Sequence, residues 1–107
     1  MLKSLVNGLK SKKNQAVLID FDINGVIDPV SEIDALETAL NRALGSSGES
    51  DGHELGGGEG TIFLYGADAE MMFTRIEGVL KNNPLCANAR VIVRKGEPGS
   101  LQREILL

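Results

Sequence analysis

Residues Gly48–Gly66 read GESDGHELGGGEGTIFLYG: an acidic, glycine-rich approach carrying the only histidine, His53, runs into the short apolar stretch Thr61-Ile62-Phe63-Leu64-Tyr65. β-branched and aromatic residues bounded by glycine are strand composition, and a glycine cluster between two extended runs is hairpin composition. The stretch predicts a poorly buried strand around Glu49–Leu55, a turn at Gly56–Gly60 and a second strand at Thr61–Tyr65. A first strand rich in charge and glycine suits a sheet edge, where it discourages pairing with other chains.

Upstream, Val17, Ile19, Phe21 and Ile23 alternate with Leu18, Asp20 and Asp22 over 16–23. This period of two predicts a strand with one apolar face and one face bearing two carboxylates, as in a sheet covered on one side only. Asn24-Gly25 breaks the strand. Asp28 or Ser31 as cap, Pro29 in the first turn, and Glu32 and Asp34 near the positive end of the dipole then start a helix. Its apolar face is Ile33, Leu36, Leu40, Ala43 and Leu44, and Gly45 ends it.

Downstream, Asp68 caps a second helix whose apolar face is Met72, Phe73, Ile76, Val79 and Leu80, and Asn82-Asn83-Pro84 stops it. Gly78 inside this helix marks an expected close approach to the sheet, since glycine there costs about 1 kcal/mol relative to alanine. A strand over 89–95, the turn Gly96-Glu97-Pro98-Gly99 and a returning strand over 101–107 complete the chain. Before all of these, Leu2, Leu5, Val6 and Leu9 suggest a short amphipathic helix, followed by a basic linker. Two parts are therefore expected, an N-terminal segment over 1–15 and a single domain over 16–107.

The order strand-helix-strand-strand-helix-strand is the α+β, ferredoxin-like split βαβ plan (βαββαβ), here with the short N-terminal helix and an added C-terminal strand. In that plan two helices cover one sheet face and the first strand lies centrally. The uncovered face should then place Asp20 and Asp22 between Phe63 and Tyr65 on one side and Arg90 and Arg94 on the other. These six residues are the expected binding surface.

The 107 residues suffice for one core without a metal or disulfide. Cys86 is the only cysteine, so no intramolecular disulfide forms; it reads as a small buried apolar residue and fits a reducing, cytoplasmic setting. No apolar run approaches the roughly 18 residues that a membrane span requires. The net charge of −4 is unevenly spread: Lys3, Lys10, Lys12 and Lys13 make the start basic, whereas 14–74 holds twelve acidic residues against Arg42 alone. An acidic middle argues against nucleic acid, which demands a continuous basic surface. It suits a basic protein partner, with a second copy of the chain as another candidate, and neither a membrane nor a cofactor is called for.

Several shorter patterns suggest chemistry. Asp51 and His53, two apart on a strand, should point the same way, and with Glu54 and Glu59 could hold a metal if the glycine turn folds back. Asp20-Phe21-Asp22-Ile23-Asn24-Gly25 begins like a calcium loop, but Ser31 stands where the loop needs its final carboxylate, and a strand precedes it. The same aspartates resemble the motif of haloacid-dehalogenase-type phosphatases, which need a larger domain. Asp22-Ile23-Asn24-Gly25-Val26-Ile27 is similar to the D-x-P-G-x-L turn of ACT-type regulatory domains without its proline; that resemblance implies small-molecule binding, and a regulatory domain binding a small molecule or a cation is the alternative to protein recognition. With one histidine and one cysteine from separate segments, nucleophilic catalysis has few groups to draw on.

From Asp51 to Gly99 the chain joins the approach D-G-x-E-x-G-G-G-E, the turn Y-G-x-D-A and the hairpin R-x-G-x-P-G. In these it resembles a family of small uncharacterised bacterial proteins. The resemblance implies a stand-alone soluble domain and carries over no functional residue. By analogy with small acidic bacterial domains, an immunity- or adaptor-like role is expected.

Overall fold

A computed structural model describes residues 14–107. The amphipathic segment and most of the basic linker expected at the N-terminus lie outside the described residues. The elements are β1 (Gln15–Asp22), α1 (Pro29–Leu44), β2 (Gly48–Gly56), β3 (Glu59–Gly66), α2 (Ala69–Lys81), β4 (Arg90–Arg94) and β5 (Gln102–Leu106). They form one antiparallel sheet in the order β2-β3-β1-β4-β5. The expected central position of β1, beside β3 and β4, is found, as is the added strand at the C-terminal edge.

Both helices begin as the sequence indicates. The Asp28 carboxylate accepts from the Ser31 N–H at 3.3 Å, with Pro29 in the first turn; Asp68 does the same for Met71 at 3.1 Å. A second donor at the start of α2, the Ala69 N–H, bonds the Gln15 side-chain oxygen at 2.8 Å. Satisfying these otherwise unpaired amides sets where each helix starts. Gln15, expected in the linker, thus belongs to the domain: it opens β1 and caps α2.

The core lies between the helices and one face of the sheet. Val17, Ile19 and Phe21 of β1, Ile62 and Leu64 of β3, and Val91 and Val93 of β4 meet Ile33, Leu36, Leu40 and Leu44 of α1 and Met72, Ile76 and Leu80 of α2. Each such aliphatic side chain contributes about 1.5–3 kcal/mol on burial. Cys86 joins this core at 1% exposure, and burial pushes its thiol up to about 11, so it is an inert apolar filler. Gly78 departs from expectation: it is exposed, and a Cβ there would meet nothing within 4 Å. No close approach to the sheet explains that glycine.

The hairpin between β2 and β3 is tighter than its five glycine-rich residues suggest. Gly56 pairs Glu59, leaving only Gly57 and Gly58 in the turn, at φ +61° and +80°. Two successive positive φ values match the right-handed twist of the flanking strands and strongly favour glycine. As a result β3 begins at Glu59, two residues earlier than expected.

Candidate functional site

Residues on the uncovered face of the sheet follow from the strand registers. Across β3, β1 and β4, Tyr65 is level with Ala16 and Arg94; Phe63 with Leu18 and Ile92; and Thr61 with Asp20 and Arg90. Asp22 is level with Glu59 and extends past the start of β4. All six expected surface residues therefore share the face, but the arrangement along the strands is corrected. Neither aspartate lies between an aromatic and an arginine: Ala16 lies between Tyr65 and Arg94, Leu18 between Phe63 and Ile92, and Asp20 between Thr61 and Arg90. Against β3 the aspartates pair Thr61 and Glu59, beyond the aromatics toward the hairpin turn.

The centre of this face is thus an apolar row, Phe63–Leu18–Ile92, with Tyr65 beside it; all four side chains are half-buried among their neighbours. Asp20 closes one end. Its carboxylate accepts from the Thr61 hydroxyl at 2.6 Å and from the Arg90 guanidinium at 2.8 Å. Arg90 also reaches Glu104 on β5 at 3.3 Å, and the Asp20 hydrogen bond, with lesser help from Glu104, holds its guanidinium above the ordinary arginine range. Arg94 turns back to the Gly96 carbonyl at 2.8 Å. Carboxylates dominate the β2 side: Glu49 is level with Tyr65, Glu54 with Thr61, and Asp51 lines a shallow hollow with Phe63 and Tyr65.

Neither aspartate of the calcium-like motif is arranged as a loop ligand. Asp20 is engaged across the sheet as described, and Asp22 accepts the Asn24 N–H at 2.8 Å, stabilising the turn that leaves β1. That turn is tied to the β2–β3 hairpin, since the Ile23 N–H bonds the Gly58 carbonyl at 2.9 Å. Ile27 beyond it is fully exposed.

The expected grouping of Asp51, His53, Glu54 and Glu59 is also corrected. A β-bulge sets Asp51 and Gly52 together opposite Phe63, between the pairs Ser50–Leu64 and His53–Ile62. One extra residue reverses the alternation, so His53 joins Ser50 on the helix side of the strand. There His53 Nδ1 lies 2.9 Å from Glu37 Oε1, while the Ser50 hydroxyl donates to Glu37 Oε2 at 2.6 Å. The Ser50 oxygen also accepts the Gly52 N–H at 3.1 Å, and Asn41 Oδ1 accepts the Ser50 N–H at 2.8 Å. Glu54 and Glu59 stay on the opposite face, level with Thr61 and Asp22.

Asp34 and Glu37 with His53 are the metal-ligand types that converge among the described residues, and sequence reasoning missed both carboxylates. A signal was present: Asp34, Glu37 and Asn41 recur at helical spacing beside the apolar stripe of α1, and a glycine inside a charged strand marks a bulge. The Ser50–Glu37–His53 group is not a nucleophile arrangement. Serine and histidine bond the same carboxylate, whereas activation needs the imidazole between hydroxyl and acid.

A cleft of about 490 Å³ lies where α1 passes into β2, lined by residues 45–49 and 65–68 and by the exposed Met71. Glu49 and Asp68 are the charged residues that line it. Among the described residues no helix is long and apolar enough to cross a membrane. The chain matches no protein-family model, no curated protein and no solved structure.

Proposed function

We propose that this ferredoxin-like split βαβ domain is a non-enzymatic binding module that recognises another protein, basic at the contact, through the open face of its sheet. The observation that carries the reading is the apolar row Phe63–Leu18–Ile92, bordered by Tyr65 and left uncovered by either helix. Its surroundings define the partner. Glu49, Asp51, Glu54, Glu59 and Asp22 border the β2 side, and none forms an ion pair with another described residue. On the β4 side, Arg90 is already engaged by Asp20 and Glu104.

Such a rim attracts a basic partner and speeds encounter, while the aromatic and aliphatic centre supplies the desolvated contact. It disfavours a second copy of the chain, which would bring an equally acidic rim. Nucleic acid is disfavoured for the same reason: carboxylates beside the aromatics repel phosphate. The role fits an immunity- or adaptor-like protein.

A photo-crosslinking aromatic residue placed at Tyr65 in producing cells tests this reading. A crosslink to one other protein, with basic residues at the mapped contact, supports it when the crosslink is lost in Phe63→Ser and Ile92→Ser and weakened by salt. Crosslinks only between copies of this chain, or a yield insensitive to both substitutions, overturn it.

A further inference from the structure

We infer that Asp34, Glu37 and His53 form a binding site for a divalent first-row transition-metal ion, of the zinc or manganese kind, where α1 meets the edge strand β2. One donor atom from each residue lies within 4.8 Å of the other two. His53 Nδ1 and Glu37 Oε1 are 2.9 Å apart, which matches two ligands at about 90° around a five- or six-coordinate ion with bonds of about 2.0–2.2 Å. Asp34 and Glu37, three apart on α1, present their carboxylates on one side of the helix.

The surroundings orient the donors. The Ser50 hydroxyl bonds the second oxygen of Glu37, which aims Oε1 at the imidazole. Metal-binding carboxylates and imidazoles are commonly held by such outer hydrogen bonds. His53 reaches this side because of the bulge, whose Gly52 adopts φ +108°. One imidazole and two carboxylates suit zinc, manganese, cobalt or nickel, whereas calcium takes six to eight oxygens and copper(I) prefers sulfur. Three protein ligands leave room for water, so the site is open.

The site differs from the protein-binding face and does not depend on it. The competing role for these residues is a hydrogen-bonded pin that holds the bulge, which requires no ion. Zinc chloride titrated into the untagged full chain separates the two, read by ¹⁵N NMR of the imidazole of the only histidine. The expected result is saturable binding at one equivalent with the His53 ring resonances shifting, and broadening of amides around Asp34, Glu37 and His53 when manganese replaces zinc. His53→Gln should abolish it. Asp34→Asn should weaken it by at least about tenfold, the lower range for losing even an outer partner of a metal ligand. Asp34 is exposed and its carboxylate takes no hydrogen bond among those seen, its carbonyl alone meeting a side chain, the Thr38 hydroxyl, so that variant should fold normally. Failure to saturate at millimolar zinc, unchanged binding in Asp34→Asn and His53→Gln, or broadening centred elsewhere overturns the assignment.

Discussion

The Asp20 carboxylate meets the Arg90 guanidinium at 2.8 Å across β1 and β4, on the sheet face that neither helix covers. The same carboxylate takes the Thr61 hydroxyl at 2.6 Å from the other neighbouring strand, so one side chain joins three strands. This places a satisfied polar group at the end of the apolar row and leaves Phe63, Leu18 and Ile92 as the half-buried apolar centre of the face. Thr61→Val is expected to cost about 1 kcal/mol, a typical hydrogen bond to a partly buried acceptor. Combined with Asp20→Ala it should add little to the single change, because both remove the same bond. Urea denaturation of the two single variants and the double variant checks this; full additivity would show that the bond is not coupled in solution.

Gly52 makes the bulge, and its φ of +108° is one that side chains with a Cβ rarely adopt. Gly52→Ala should destabilise the protein by about 1–3 kcal/mol or force the bulge to relax. Where the bulge relaxes, His53 loses its place beside Glu37. The chemical shifts of the single imidazole, recorded with the melting temperature, report both effects, and an unchanged ring environment at full stability contradicts the account.

Gly78 is a helix-interior glycine with open space around it. Gly78→Ala should raise stability by about 0.5–1 kcal/mol, by removing backbone freedom from the unfolded chain without meeting a neighbour. Chemical denaturation measures the gain. A loss would mean that something packs on this side of α2 in solution.

Arg103 on β5 grips Glu70 at the start of α2 through two hydrogen bonds of 2.7 Å, and its guanidinium lies 5.8 Å from the centre of the Phe73 ring. The hydrogen bonds from Arg103 hold the Glu70 carboxyl below the ordinary glutamate range. A carboxyl depressed in the folded state stabilises above its unfolded pKa, and that contribution is lost as pH falls through the folded value. Both side chains are well exposed, so the effect is small and screened by salt. Glu70→Gln should therefore be slightly less stable than the parent at neutral pH, with the difference closing in acid. A gap that persists at low pH or grows there would assign the effect to packing instead.

Local patterns carry much of this protein. Val17, Ile19 and Phe21 alternating with Leu18, Asp20 and Asp22 specify a strand and its two faces, because the side-chain period is two. Asp28 and Asp68 specify where helices start, and Gly45 and the glycines after Leu55 specify where chain direction changes. Element order follows from these; the central place of β1 and the shared face of Asp20, Phe63, Tyr65, Arg90 and Arg94 follow only once that order is read as the split βαβ plan. Alternation assigns a face but not a position along it. Register depends on how β1 and β3 interlock in the core, so only the assembled sheet set Leu18, and not Asp20, beside Phe63. The bulge is a second case: one added residue at Asp51-Gly52 reverses every orientation after it, carrying His53 to α1. The meeting of Asp34, Glu37 and His53 joins residues 16 to 19 positions apart, which neither the helix period nor the strand period can relate; the packing of α1 against the edge of the sheet decided it.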